Sequence, residues 1–508
     1  MSAIGSDRLA SPGRRPRALM LAALVLTLSM FVGGTLPARG DATDWDRLMS
    51  GALARTALTP GLQAPSAWAV IEPGPVKDEF TTFAGGAGGA AADTPFLIGS
   101  LSKPLTAAAV MTLVEGGRMG LDAPVSDYLP GFRPHDSDAL TVAHLLSHTS
   151  GFSAEAGLDA HHDPGLSIAD RAAGASSAPR DLTRTPAAFR YSNLNYAVLG
   201  AVVEAVSGMD FAGYMEQELF APVGMPNSTA DPAKAREVAA GGHIFAFGVP
   251  VSSVETVPVG AGPDGYTVST ANDVAAFLRM LLREGIADDG TRVLGAESAR
   301  SLLTPHTPTL GAGSAAPGTD GYGFGWGTGG TPERPIAAHV GRTDGFFAHA
   351  QLHPADGQAV LVLQAVNGPL YDQTAPVAIA AAAFTDDGSA GIGEPAIVTV
   401  AIFVAFGLIA FAAALLVGWL RSRRDRRSPP RTPAAATRRV AVRAALDIGG
   451  GILVVVLWLL GAGLMFTGRP SLGTDPFAAS VELTLICGAL GAFLVGRGVT
   501  GLARYRRS

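Results

Sequence analysis

Cysteine is nearly missing from this 508-residue chain: Cys487 is the only one. No intrachain disulfide and no cysteine-based metal site can form, so a hydrophobic core has to hold the fold. Lysine is almost as scarce. Lys77, Lys103 and Lys234 are the only three among 37 basic residues. Arginine stays charged at any ordinary pH, so a lysine kept in such a chain suggests a place where a titratable amine is wanted. Charge as a whole is thin, at 16% of residues against 48% hydrophobic, which points to part of the chain lying in lipid. The G-x-S-x-G elbow of α/β-hydrolases is absent. His144 and His148 stand four apart without the glutamate of H-E-x-x-H, and His161-His162-Asp163 reads as a solvated loop, so no metal and no cofactor is expected. The net charge of −6 gathers its acids ahead of residue 420, which argues against nucleic acid as a partner.

What is present divides the chain into three. Its length suits about two to four domain-sized pieces. Arg14, Arg15 and Arg17 precede an apolar run from Ala18 to Val32, the order of a signal peptide or signal anchor within residues 1–42. From Ala396 to Leu420 there are 25 residues without a charge. At about 1.5 Å per helical residue that run exceeds a hydrocarbon core of roughly 30 Å. Shorter candidate spans follow at Ile448–Phe466 and Ala478–Val495. The loop at 421–443 carries Arg421, Arg423, Arg424, Arg426, Arg427, Arg431, Arg438, Arg439 and Arg443 against Asp425 alone, which places it in the cytoplasm by the positive-inside rule. Arg504, Arg506 and Arg507 then fall inside as well. Residues 43–390 are expected to form an extracytoplasmic domain, and residues 391–508 a three-helix membrane region in contact with lipid.

Within 43–390, apolar runs of strand and helix type alternate with Gly/Pro-rich turns, predicting a mixed α/β domain. Ser66–Ile71 and Glu79–Phe83 read as paired strands, Leu105–Glu115 as a buried helix ended by Gly116-Gly117, and Leu194–Val206 as a second long helix ended near Gly208. The first helix begins in Ile98-Gly99-Ser100-Leu101-Ser102-Lys103-Pro104. Proline is tolerated in a helix's first turn, so Ser100 stands at the N-terminus with Lys103 one turn on, on the same face. A serine hydroxyl needs a base to become a nucleophile, and a lysine in a closed pocket can lose its charge and serve. Taken alone, S-x-x-K also describes an ordinary solvated helix start.

Joined to two later elements, the segment resembles the nucleophile motif of the serine β-lactamase and penicillin-binding D,D-peptidase family, in particular the branch related to class C β-lactamases. Tyr191-Ser192-Asn193 is similar to its Y-x-N element, and His339-Val340-Gly341 to an H-x-G version of its third motif. Flanking stretches fit too: His144–Gly151, Ser269–Asp273 and Tyr322–Trp326. The resemblance covers roughly residues 45–385. It implies a β-lactamase/transpeptidase-like fold, a central antiparallel sheet flanked by helices with an all-helical subdomain. It also implies Ser100 as the acylated nucleophile, with Lys103 and Tyr191 sharing acid/base work, Tyr191 as a proton shuttle if nearby cations lower its pKa. His339 would take the place of a lysine on an edge strand, close to Tyr191 and the substrate carboxylate. Asn193 would bind the substrate amide, Gly341 would let the substrate backbone approach, and the N–H groups of Ser100 and Arg342 would form the oxyanion hole.

Each of these residues has a plainer reading. Tyr191 and Asn193 can simply start a helix, and His339 can be a structural strand residue. Ser126-Asp127-Tyr128 imitates an S-D-N element but sits in a stretch that resembles a structural part of the family. No K-T-G exists, which turns the expectation from β-lactam hydrolysis toward a peptidase or esterase. The expected substrate is a small peptide, from the cell wall among other sources, or an ester, with β-lactams as acylating ligands. A cationic Arg342 after Gly341 suits a substrate with a free C-terminal carboxylate. The competing expectation is an inactive β-lactam-binding or sensor module coupled to the membrane helices.

Overall fold

A computed structural model of the chain describes residues 45–56, 63–76, 78–133, 140–154, 156–157, 163–182, 188–246, 249–253, 255–309, 316–368, 373 and 375–384, with isolated positions beyond. The N-terminal signal segment and the three expected membrane spans lie outside the described residues. Among those described, no single helix is long and apolar enough to cross a membrane.

The elements follow in order: α1 (Trp45–Thr56), β1 (Ser66–Pro73), β2 (Phe80–Ala87), β3 (Phe96–Leu97), α2 (Ser102–Glu115), α3 (Val125–Tyr128), α4 (Val142–Leu146), α5 (Ile168–Ser177), α6 (Asn193–Ser207), α7 (Phe211–Met215) and α8 (Pro232–Ala239). Then come the hairpin β4 (His243–Ala246) and β5 (Val249–Ser252), β6 (Val268–Ser269), α9 (Ala271–Leu282), α10 (Ala296–Leu303), β7 (Thr307–Pro308), β8 (Thr319–Tyr322), β9 (Gly327–Gly330), β10 (Pro335–Arg342), β11 (Phe347–His353), β12 (Gln358–Gln364) and α11 (Ala375–Ala383). Eight of the strands form one sheet in the order β2-β1-β12-β11-β10-β9-β8-β7, and the registered pairs are antiparallel throughout.

Period-two alternation decides what each face of this sheet holds. Trp68, Val70, Val360 and Val362 point to one side, where Trp45, Met49 and Leu53 of α1 and Val377 and Ala380 of α11 cover them. Ala67, Ala69, Ile71, Leu361 and Leu363 point to the other and join the main core with α9. Covering both faces explains why β1 and β12 read as continuous apolar runs instead of alternating ones.

Helix α2 is buried from Ser102 through Met111, because it lies between the sheet layer and the helical layer headed by α6. Pro104 falls in its first turn, where the missing N–H has no intrahelical partner to lose. The paired strands β1 and β2 match the sequence expectation and run a few residues further, and α6 ends at Gly208. One expectation changes. β10 is an interior strand between β11 and β9, not an edge. Its pairing with β9 nevertheless stops at Ala338, so the stretch from His339 to Arg342 runs on past the end of β9.

Candidate active site

The nucleophile candidate sits in a 3-10 turn, Gly99–Leu101, that leads directly into α2. Short strand β3 pairs with β6, Ile98 N–H donates to Thr267 O at 3.1 Å, and Ser102 Oγ donates to Gly99 O at 2.7 Å. These bonds hold the turn from behind. From the front it is wedged against β10. Gly99 has φ 53, and a Cβ there would sit 2.3 Å from Arg342 N. A Cβ on Gly341 would sit 1.9 Å from Ile98 O and 3.0 Å from Leu101 N. The enzyme's own backbone therefore already requires glycine at 341, a reason that the expectation drawn from the sequence did not include.

Lys103 is completely buried. Its Nζ lies 3.0 Å from Ser100 Oγ, 2.8 Å from Asn193 Oδ1 and 2.5 Å from the Asp264 carbonyl oxygen. A neutral amine has two hydrogens and one lone pair. Two of its three neighbours can only accept, so the hydrogens go to Asn193 and Asp264 and the lone pair faces the serine hydroxyl. Burial pulls the amine down from 10.5 to about 7, with Asp264 opposing the shift and Arg171 assisting it. The unprotonated form is thus well populated near neutrality, as a general base requires.

Tyr191 and Asn193 flank Ser192 at the start of α6, and Ser192 N–H donates to His148 Nδ1 at 3.2 Å. The Tyr191 phenol is hydrogen-bonded to Ser100, yet burial outweighs that bond and raises its pKa well above the usual value. The expected lowering by nearby cations does not occur: burial dominates, and the charge that acts on the phenol, Asp264, raises it further. Tyr191 is therefore a phenol that donates to Ser100 Oγ.

His339 is 1% exposed, and its ring centroid lies 6.1 Å from that of Tyr191. Its Nδ1–H donates to Val340 O at 2.9 Å, leaving Nε2 to face Tyr322 Oη at 3.4 Å. Burial, then Lys103, lower its pKa to about 3. It stands where a lysine was expected, but as a neutral ring. Arg342 is exposed on the opposite face of β10, its guanidinium 4.8 Å from the Phe347 ring centroid with Nη1 donating to Asn367 Oδ1 at 3.4 Å. All seven residues singled out in the sequence converge on this turn and strand, although the Arg342 side chain points away from Ser100.

Three residues escaped the sequence reading. His148, treated there as part of a structural signature, is fully buried and stacks on Tyr191 at 4.4 Å. It also accepts from Asn195 Nδ2 at 2.7 Å, and it adopts a left-handed φ of 56. Such backbone costs a non-glycine residue on the order of 1 kcal/mol and is found where the surroundings demand it. Arg171 and Asp264 form a fully buried ion pair at 2.7 Å behind Lys103. No local pattern announces that pair, because its members lie on separate elements. Ser126-Asp127-Tyr128 belongs to α3, where Tyr128 Oη accepts from Gly120 N–H at 2.7 Å.

A large antiparallel sheet, helices on both faces and a Ser-x-x-Lys pair with a buried lysine define a serine hydrolase. The chain belongs to the Beta-lactamase family, whose model matches residues 60–384. It is 34% identical to penicillin-binding protein 4 of Amycolatopsis lactamdurans over 281 residues, covering 53% of this chain and 72% of the relative. Against esterase EstB of Burkholderia gladioli it is 30% identical over 329 residues, covering 55% and 80%. The octameric penicillin-binding protein homologue from Pyrococcus abyssi shares the fold, with a TM-score of 0.53 and 22% identity over 68% of this chain and 76% of that one.

Proposed function

We propose that the chain cleaves small peptides or esters through an acyl-enzyme on Ser100, as a D,D-carboxypeptidase-like peptidase or an esterase, with its catalytic domain at the outer face of a membrane. The observation that carries the chemistry is the buried Lys103 amine, its pKa lowered to about 7, at 3.0 Å from the Ser100 hydroxyl. Lys103 takes the hydroxyl proton as Oγ adds to the substrate carbonyl. The oxyanion is held by the N–H groups of Ser100 and Arg342, which the close approach of Gly99 to β10 brings together. As the tetrahedral intermediate collapses, Ser100 Oγ is bonded to the acyl carbon and carries no hydrogen, so the Tyr191 phenol gives its proton to the departing amine or alkoxide and recovers one from the Lys103 ammonium. Water reverses the sequence and releases the acid.

A peptide or ester suits the site better than a β-lactam, because a neutral His339 replaces the lysine that attracts a β-lactam carboxylate. Arg342, exposed on the other face of β10, adds at most a longer-range attraction for a free carboxylate on the substrate. The relatives are named as a penicillin-binding protein and an esterase, in keeping with either substrate class. The uncharged run Ala396–Leu420 and the arginine-rich loop at 421–443 support the outward placement. The test is a panel of D-Ala-D-Ala peptides, p-nitrophenyl esters, D-aminoacyl amides and nitrocefin on the full chain in detergent, with Ser100→Ala as control. Serine-dependent turnover of a peptide or ester is expected. Turnover of nitrocefin alone, or none that depends on Ser100, sinks the reading. Placement is checked by adding protease to intact cells, which should remove the domain while leaving the arginine loop protected.

A further inference from the structure

The most informative group outside the expected machinery is the ion pair behind Lys103. Arg171 on α5 grips the Asp264 carboxylate with two bonds, Nη1 to Oδ1 at 2.7 Å and Nη2 to Oδ2 at 3.0 Å, and donates a third to the Gly260 carbonyl. Both side chains are 0% exposed. The same Asp264 gives its backbone carbonyl to Lys103 Nζ, and Thr106 Oγ1 donates to the neighbouring Pro263 carbonyl at 2.8 Å. Residues 260–264 are thus a loop tied on one side to Arg171 and on the other to helix α2, with the amine of Lys103 at its tip.

A buried ion pair is a poor way to gain stability. Apolar residues of similar volume would do as well or better, since desolvating two charges offsets most of their attraction. Its presence beside a titrating amine therefore asks for a reason other than folding. A loop carbonyl alone could hold the amine. A lone carboxylate there would lock the amine in its charged form, and a lone guanidinium would strip its proton even at low pH. The two together oppose each other at the amine, because Asp264 and Arg171 act on Lys103 with opposite signs.

We infer that Arg171 and Asp264 are a positioning pair for Lys103: the loop they lock aims the Asp264 carbonyl at the amine, and their opposed charges leave the amine free to exchange its proton with Ser100. This rests on the reading of Lys103 as the base. The other groups facing Lys103 are Ser100 and Asn193 by hydrogen bonding, the rings of Tyr191 and Tyr196 at 4.9 and 5.7 Å, and His148 and His339, both neutral near pH 7. Within this set Asp264 is the only carboxylate and Arg171 the only permanent cation, so exchanging either has one predicted sign.

The test is the pH dependence of Ser100 acylation by a fluorophosphonate probe, measured on the full chain and on Asp264→Asn, Arg171→Gln and the double variant. The acidic limb should move down by about 1 pH unit in Asp264→Asn and up by about 1 unit in Arg171→Gln. In the double variant it should return close to its original position, whatever the loss of absolute rate. A purely structural pair predicts slower acylation with an unmoved limb in every folded variant, and that result overturns the inference. If one single variant fails to fold, the other single and the double still decide: an unmoved limb in the single, or a displaced one in the double, refutes it. Lys103→Ala separates this inference from the reading beneath it. Acylation that persists in Lys103→Ala with the original limb defeats Lys103 as base, whereas its loss there with unmoved limbs in the pair variants defeats only the pair.

Discussion

The two sides of Ser100 are built on different principles. On the strand side, Gly99 and Gly341 bring the turn and β10 so close that a single methyl group would strike Ile98 O or Arg342 N; the constraint there is shape, and the nearest titratable ring, His339, is neutral. On the helical side the contacts are polar and aimed, with Lys103, Asn193, Tyr191 and the Arg171–Asp264 pair surrounding one hydroxyl. Errors on the first side should damage structure and rate together. Those on the second should change the chemistry while the fold survives.

The largest expected effect is on the helical side. Lys103→Ala removes the base and should slow acylation of Ser100 by about 10³-fold, read from probe-labelling rates, with little loss of thermal stability because a costly buried amine disappears. Gly341→Ala should do the reverse in kind. It places a Cβ against backbone that cannot turn aside, so a loss of about 2–3 kcal/mol in denaturant unfolding is expected, with acylation slowed roughly 10²-fold by misplacement of the turn. If Gly341→Ala kept full stability, the contrast between the two sides would fail.

Next comes the pH profile of the unaltered enzyme. Lys103 works in its neutral form and has a pKa lowered to about 7, so acylation should fall as pH drops below about 7, approaching tenfold per unit, and flatten above it. The sign for stability agrees. The folded pKa lies below the unfolded one, so the unfolded state binds more protons between about 7 and 10.5 and this group's contribution to stability declines as pH falls through that window. A rate limb near 10 would mean the amine is not desolvated. The smallest effect belongs to Arg342→Ala. It should reduce the preference for carboxylate over amidated substrates by about fivefold or less, since an exposed cation is worth roughly 1 kcal/mol at most. An unchanged preference would remove Arg342 from substrate recognition.

How much of this was legible depended on whether the information was local. Ser100 and Lys103 share one helix turn, Tyr191 and Asn193 one helix start, and His339 and Gly341 one strand, so each pair is readable as a short spacing. The fold class was legible for the same reason, through apolar runs such as β1 and α6. What stayed hidden is what distance along the chain conceals. Asp264 reaches Lys103 through a backbone carbonyl, an atom every residue possesses, and Arg171 lies on another helix again. His148 was quoted only as part of a flanking stretch, because its stacking on Tyr191 is not announced by any spacing. For Gly341 the sequence offered one partner, the substrate, and only coordinates reveal a second, Ile98 O.

That last contact also says how the site can be altered. Position 339 is bounded by side chains, the rings of Tyr322 and Tyr191, of which Tyr322 can be exchanged along with it. Position 341, two residues on and on the same face, is bounded by the carbonyl of one residue and the amide of another. A mutant library built to retune which acids or amines this enzyme accepts should therefore spread its diversity over 339 and Tyr322, where compensation is available, and hold 341 and the catalytic Tyr191 constant in every clone.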